Sequence, residues 1–495
     1  MASTKDKIPA SQKNTTRRLG FFIKQYAIWL FIPIPAIIGM IGFYIEGGRF
    51  WNSAYSCLTM YLVDYGDPTD NTWIQLARWL APIATAGSLS LVFTSIGKFV
   101  KRVYARCSKK SVAVFGNEDE RAELLRELGA NGIPMEGTAV RAGCYILVGS
   151  EEENLEFYEQ NTVALQGKDV YLKCRSLPEQ MSCDPHLHLF SPEETAARIF
   201  WKENCPYKIS LSTNHRFKIA IFGFGGLCEE LIVQGIQYNI FSPDQIIEYH
   251  IFGEDNGFTD THPQLSEITD PIIFHSNPWY KSKDLIHECQ MLIVVQQEEQ
   301  LDLLQRLAKL FPQTVIHVFS AQASGIAMLE KNTGIVGFDW EAKSMLLENI
   351  RGANMHYLAK KLNLRYAHLY SGVSEDKKNM DSEWSKLDTF TRYSNISSAN
   401  YHDVCMRILD GKELTEERLA FFGELEHIRW CRYHYLSNWK YGIPQSGKAK
   451  DHKNRIHSLL VPYDQLSEEE KEKDRENIRM LMALENEMGS VPNFV

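Results

Sequence analysis

Between Arg429 and Tyr463 the chain sets flat aromatic rings among cations: Trp430, Trp439, Tyr441 and Tyr463 alternate with Arg429, Arg432, Lys440, Lys453, Arg455 and His457. Aromatic faces stack nucleobases while Arg and Lys neutralise phosphates, so the composition suits a nucleotide-type small molecule. In so short a region the same rings could equally supply a core, with the cations solvated. A second candidate lies earlier. Gly223-Phe224-Gly225-Gly226-Leu227-Cys228 follows an apolar run and precedes a helical pattern, a setting in which glycines let a phosphate approach a helix amino terminus. Cys228 stands where a third glycine is expected. Glu254 or Asp255 could take a ribose hydroxyl, although they come about thirty residues on where about 20 is usual. A nucleotide or dinucleotide is the ligand these residues would hold; the alternative is a tight turn serving the fold alone. The corresponding turn at Gly116 is followed by Asn117 and Glu118, and an acidic residue there would repel a pyrophosphate. No catalytic Tyr-x-x-x-Lys, nucleophile elbow, phosphate loop or His/Asp cluster at ligand spacing stands out, so the sequence reads as no enzyme, with no catalytic residue and no metal site.

The elements that must position these residues alternate in type. Apolar runs at Ser111–Asn117, Cys144–Ser150 and Lys168–Cys174 are separated by helix-compatible stretches. The pattern restarts at Phe217–Gly226 and continues through IIEYHIFGED, MLIVVQQ and TVIHVFS. Strands alternating with helices predict parallel sheets with crossover helices, here two Rossmann-like α/β halves in tandem, at 111–205 and 215–340. Residues 341–424 read as a helical linker region. The tail EEEKEKDRENIRMLMALENEM reads as a charged helix that can dock through Ile478, Leu481 and Leu484.

The amino-terminal part differs. After a basic stretch at 1–18, Leu19 to Ile45 and Leu76 to about Val100 are apolar and long enough to cross a hydrocarbon core of about 30 Å. Between them Trp51–Tyr61 is amphipathic and too short to span. Lys5, Lys7, Lys13, Arg17 and Arg18 precede the first stretch, and Lys98, Lys101, Arg102, Arg106, Lys109 and Lys110 follow the second, which predicts two spans with both termini cytoplasmic.

Leu62-Val63-Asp64-Tyr65-Gly66-Asp67, set between these stretches, resembles the filter of potassium channels, with Leu62 in place of Thr and Asp64 in place of the first Gly. The resemblance implies a pore domain at 19–106 in the plasma (inner) membrane, a helical hairpin with a re-entrant helix, a hinge at Gly87, a homotetramer and a monovalent cation in the pore. Tandem Rossmann halves after such a pore resemble regulator-of-potassium-conductance (RCK, TrkA-N type) domains. Four blocks near the carboxyl terminus resemble the RyR domain of ryanodine receptors and bacterial sensors: Glu426–Trp430, Asn438–Gly442, Arg455–Tyr463, and Leu466–Lys471 with Asp474 and Arg475. They imply a small helical domain at 425–495 that senses nucleotide-derived messengers, with Arg429, Trp430, Arg432, Trp439, Tyr441, His457 and Tyr463 as its pocket. Together the resemblances predict a ligand-gated cation channel; a non-conducting membrane sensor with a degenerate pore is the alternative, and a membrane-anchored Rossmann oxidoreductase a third reading.

At 495 residues the chain has room for all these parts. Its net charge of −9 argues against a nucleic-acid partner. Ten cysteines without a C-x-x-C pair suit reduced thiols.

Overall fold

The computed structural model describes residues 33–64, 69–85, 110–175, 186–320, 334–352, 356–445 and 447–489, in two units that divide between Ser108 and Lys109. In the first unit Pro33–Ile45 is helical. Phe50–Tyr61 and residues 72–85 are also helical. A Cβ on Gly39 would lie 2.8 Å from Cys57 Sγ and one on Gly42 2.6 Å from Ile74, so glycine lets these helices close on a core of Phe43, Cys57, Met60, Ile74, Ala77 and Ala81.

These helices correct the membrane reading. Among the described residues no helix is long and apolar enough to cross a membrane. Pro33–Ile45 has 13 residues, about 20 Å of helix against a core of about 30 Å. The rest of the first apolar stretch, residues 19–32, and the part of the second beyond residue 85 lie outside the described residues. The membrane pore hairpin, the ligand-gated cation channel with its potassium transport, the non-conducting membrane sensor, the membrane-anchored oxidoreductase and the multi-pass placement in an inner membrane all fall with it. Leu62, Val63 and Asp64 form the turn that ends Phe50–Tyr61. The N–H groups of Leu62 and Asp64 reach Thr59 O at 3.0 and 3.1 Å, that of Val63 reaches Met60 O at 3.2 Å, and Val63 sits at φ +61°. A left-handed residue at this position is a helix cap. Tyr65, Gly66, Asp67 and Gly87 lie outside the described residues.

The second unit contains two parallel sheets. Strands β1 (Val112–Phe115), β2 (Gly132–Pro134), β3 (Cys144–Leu147), β4 (Asp169–Lys173) and β5 (Leu187–Phe190) lie in the order β2-β1-β3-β4-β5. Strands β6 (Arg216–Phe222), β7 (Ile246–Phe252), β8 (Ile272–Phe274), β9 (Met291–Val294), β10 (Ile316–Phe319) and β11 (Ile335–Phe338) lie in the order β11-β10-β9-β6-β7-β8. Counted within its own half and read from the β8 edge, the second order is the 3-2-1-4-5-6 of a Rossmann sheet. All residues of β9 and β10 are buried, which is why β9 reads as an unbroken apolar run and β10 as one interrupted by His317 alone. The halves join through helices. Trp201 of Pro192–Glu203 lies where a Cβ on Gly235 of Gly226–Tyr238 would come within 3.0 Å of its ring, and its Nε1 donates to Leu231 O at 2.8 Å.

Onto this pair pack three long helices, Thr389–Leu409, Glu416–Leu436 and Glu468–Gly489, with a small sheet of β12 (Lys440–Tyr441), β13 (Lys450–Asp451) and β14 (Ile456–His457) in the order β12-β14-β13. Thr415 caps the middle helix by accepting from Arg418 N. Phe422 and Leu425 enter the core of the second sheet, and Tyr401 Oη donates to Ile240 O at 2.7 Å. Ile478, Leu481 and Leu484 are buried along one face of the last helix.

Candidate functional site

The glycine turn sits where a Rossmann sheet reverses its strand order, beyond the carboxyl ends of β6 and β9. Gly223 has φ +96°, and a Cβ there would lie 2.8 Å from Gln296 N just after β9, so the fold itself demands glycine. Gly225 precedes the helix at φ +153°, with open space around its Cβ position. Gly226 is covered: Arg175, from the end of β4 in the other half, brings Nε to 2.6 Å of its Cβ position and pairs with Glu229 at 3.4 Å. Phe224 closes over Gly253 and meets Phe258 and Phe274 edge-on, filling the space at the end of β7. Asp255 Oδ1 accepts from Thr259 N at 3.0 Å, and Glu254 is exposed. The turn thus has Rossmann geometry, with a guanidinium at the helix amino terminus and a phenyl ring beside the acidic pair.

The seven aromatic and basic residues separate. Arg429, Trp430 and His457 line a cavity of about 270 Å³ inside the helical domain, together with Tyr366, Asp474 and Asn477. Arg432, two positions beyond Trp430, points into the second α/β half instead, with Nη1 2.6 Å from Asp270 Oδ2. Trp439 is 2% exposed and packs with Cys431, Leu460 and the ring of Phe390. Tyr441 is 56% exposed on β12. Tyr463 packs beside His427 with Lys471 Nζ over its ring at 5.6 Å.

Glu426 is the centre of the cavity's wall. Its Oε1 accepts from Arg429 Nη2 (2.8 Å), Ser398 Oγ (2.9 Å) and Asn477 Nδ2 (2.8 Å), and its Oε2 from Arg429 Nε (2.8 Å). Arg429 Nη1 donates onward to Ser397 Oγ, which donates to Gln237 Oε1 at 2.7 Å in the second α/β half. Because Asn477 Nδ2 is held by Glu426 and Ser398, its Oδ1 is fixed, and that oxygen is buried without a partner among the described residues. His457 Nδ1 accepts from Leu459 N at 3.1 Å, which leaves Nε2–H as a donor, and burial lowers its pKa to about 4, so the ring is neutral. The wall therefore offers an acceptor, a donor and the rings of Trp430 and Tyr366, with Glu426 paired to Arg429. Among the described residues no group of three or more His, Cys, Asp or Glu could hold a metal. Glu426 and Asp474 belong to the blocks that resemble the RyR domain, but sequence reasoning does not mark them as site residues, nor does it single out Asn477, although Asp474, Asn477, Ile478 and Leu481 recur at the three- and four-residue spacing of one helix face.

His427, next to this wall, carries a pH dependence. Burial works against its charge, but the hydrogen bond to Asp474 (Nδ1 to Oδ2 3.4 Å) and the contact with Cys431 outweigh it and push the pKa up to about 10. Nε2 faces Val461 O at 2.8 Å, so both ring nitrogens meet acceptors. A folded-state pKa above the unfolded value of about 6.5 gives stability that is complete below pH ~6.5 and lost as pH rises towards the folded value. The unfolding midpoint of the native chain is expected to fall more steeply through this alkaline window than that of His427→Gln; parallel curves would refute the charged pair.

Residues 408–489 match the family model of the RyR domain, which confirms the resemblance carried by the four blocks. No curated protein matches the chain. The solved structures it is similar to include shikimate 5-dehydrogenase from Listeria monocytogenes in complex with shikimate and NAD (10% identity, 49% of this chain and 96% of that one, TM-score 0.29). Two others are Mycobacterium tuberculosis shikimate dehydrogenase (10%, 56% and 99%, TM-score 0.28) and a dipicolinate synthase chain from Bacillus halodurans (11%, 50% and 98%, TM-score 0.23). By its own strand order the chain carries two parallel α/β sheets, the second of Rossmann type, and residues 408–489 carry a RyR domain; the potassium-channel and RCK resemblances have no support in these findings.

Proposed function

We propose that the chain is a ligand-binding protein whose RyR domain takes a small molecule bearing a flat nitrogen heterocycle, of the nucleobase type, in the cavity beside Trp430. The observation that carries this reading is Asn477 Oδ1, a buried acceptor held in place with no partner among the described residues, on a wall that also presents an indole ring and the neutral His457. A buried acceptor is worth most to a partner that brings its own N–H, as an exocyclic amine does. Occupancy would reach the α/β pair along Glu426, Arg429, Ser397 and Gln237, whose hydrogen bonds run without a break from the cavity wall to the helix Gly226–Tyr238. Calorimetry on the full chain with a panel of nucleosides and nucleotides tests it. At least one should bind, and Trp430→Ala should weaken that binding by about five- to a hundredfold, the effect of about 1–3 kcal/mol per stacked base. Silence across the panel, or equal binding by Trp430→Ala, would sink the proposal.

A further inference from the structure

A second set of idle donors lies away from the RyR cavity. Arg198, on the helix Pro192–Glu203, is 8% exposed. Its Nη2 donates to Glu194 Oε2 at 2.9 Å, one helical turn earlier, and its Nε and Nη1 have no hydrogen-bond partner among the described residues. An arginine cannot escape this by losing its proton, so N–H groups of a buried guanidinium are costly to leave unmade.

Two cavities meet at this side chain. One, of about 260 Å³, runs towards Trp201, Tyr238 and His402. The other, of about 330 Å³, runs towards Tyr393 and Asn438, and its wall adds Arg175 from the first α/β half and Arg455 from the RyR domain. Gln234, Gln237, Ser397 and Asn400 border both. Three guanidinium groups from three parts of the fold therefore converge on a space whose two acids are Glu194 and Glu230. Glu194 is bonded to Arg198. Burial, reinforced by the charge of Glu194, pushes Glu230 up to about 8, which keeps it protonated and uncharged at neutral pH. Arg175 is paired with Glu229 and Arg455 donates to Ser437 O, so of these guanidinium groups the buried donors left without a partner among the described residues are those of Arg198.

We propose that this junction is a binding site for a small oxyanion, a phosphate or carboxylate group anchored on the unpaired N–H groups of Arg198. Arg is the side chain best shaped for such groups, and the low dielectric of a buried site strengthens the contact. Because the walls come from both α/β halves and from the RyR domain, an anion held here ties the three together. The site stands on observations separate from those at Trp430.

Thermal unfolding of the full chain, in chloride buffer at constant ionic strength, tests it with inorganic phosphate, pyrophosphate and succinate as probes. At least one is expected to raise the midpoint saturably, phosphate and pyrophosphate if the group recognised is a phosphate, succinate if it is a carboxylate. Arg198→Gln should weaken that effect by about ten- to a hundredfold, the range for hydrogen bonds to a charged group. Should Arg198→Gln fail to fold, Asn400→Leu fills the space beside Arg198 while leaving the Arg198–Glu194 pair in place, and it too should abolish the anion's effect. No saturable shift with any of the three probes, or an undiminished shift in the foldable variant, overturns the proposal.

Discussion

Replacing Arg432 with alanine is expected to destabilise the chain by about 3–5 kcal/mol, the cost of removing one partner from a buried ion pair. Arg432 is 3% exposed and Asp270 1%. Arg432 Nη1 lies 2.6 Å from Asp270 Oδ2 and also donates to Ile236 O at 3.0 Å. The carboxylate is itself a hub: its Oδ1 accepts from Ile247 N at the start of β7 and its Oδ2 from Gln245 Nε2. Alanine would leave that carboxylate charged and buried, with the RyR domain no longer bonded to it. Since a domain's total stability is about 5–15 kcal/mol, a large part would go. Urea unfolding followed by circular dichroism, with limited proteolysis beside it, is the check. Asp270→Asn should lose less, because the amide carries no stranded charge, and the double variant should cost less than the two singles added. An Arg432→Ala chain with native stability would show that this residue is free to serve a ligand, as its place in the sequence suggested.

That contrast explains what was legible in the sequence. The parallel sheets were, because a strand such as Phe217–Phe222 carries its own evidence: it is apolar on both faces and a helix must follow to return the chain. The RyR blocks were legible as a domain and in part as a pocket: Arg429, Trp430 and His457 line one cavity, while Arg432, Trp439, Tyr441 and Tyr463 are not part of its lining. Arg429, Trp430 and Arg432 are neighbours in sequence, yet successive residues of a helix are turned by about 100°, and the helix Glu416–Leu436 is wrapped on several sides. So Arg429, paired with Glu426, stays in the cavity wall beside Trp430, whereas Arg432 turns away to Asp270. Proximity along the chain grouped them, and helical direction separated Arg432. On the last helix the docking stripe was legible, since Ile478, Leu481 and Leu484 are buried as expected, but sequence reasoning does not mark Asp474 and Asn477 on that stripe as site residues, and a buried polar side chain such as Asn477 there is a candidate for binding. The membrane reading rested on apolar content, which measures what a helix would tolerate; in the described residues the contacts of Gly39 and Gly42 close short helices on one another.

The two tryptophans of the RyR domain are expected to part company under alanine substitution. Trp439 is 2% exposed, stacks on Phe390 with ring centroids 5.4 Å apart, and shares a core with Cys431 and Leu460. Truncating it leaves a hole between the small sheet and the helices, at a cost of about 3–5 kcal/mol. Trp430 already borders empty space, so its truncation enlarges a cavity that exists and should cost distinctly less than truncation of Trp439. Melting temperature and ligand binding measured on the same samples separate the roles. Trp439→Ala should lower the melting temperature steeply, while the fraction that stays folded binds the Trp430 ligand better than Trp430→Ala does, because Trp439 backs His457 and Trp430 without lining the cavity. Trp430→Ala should melt near the native temperature and bind weakly. The reverse pattern, a stable Trp439→Ala chain that no longer binds, would make Trp439 the platform on which the ligand rests.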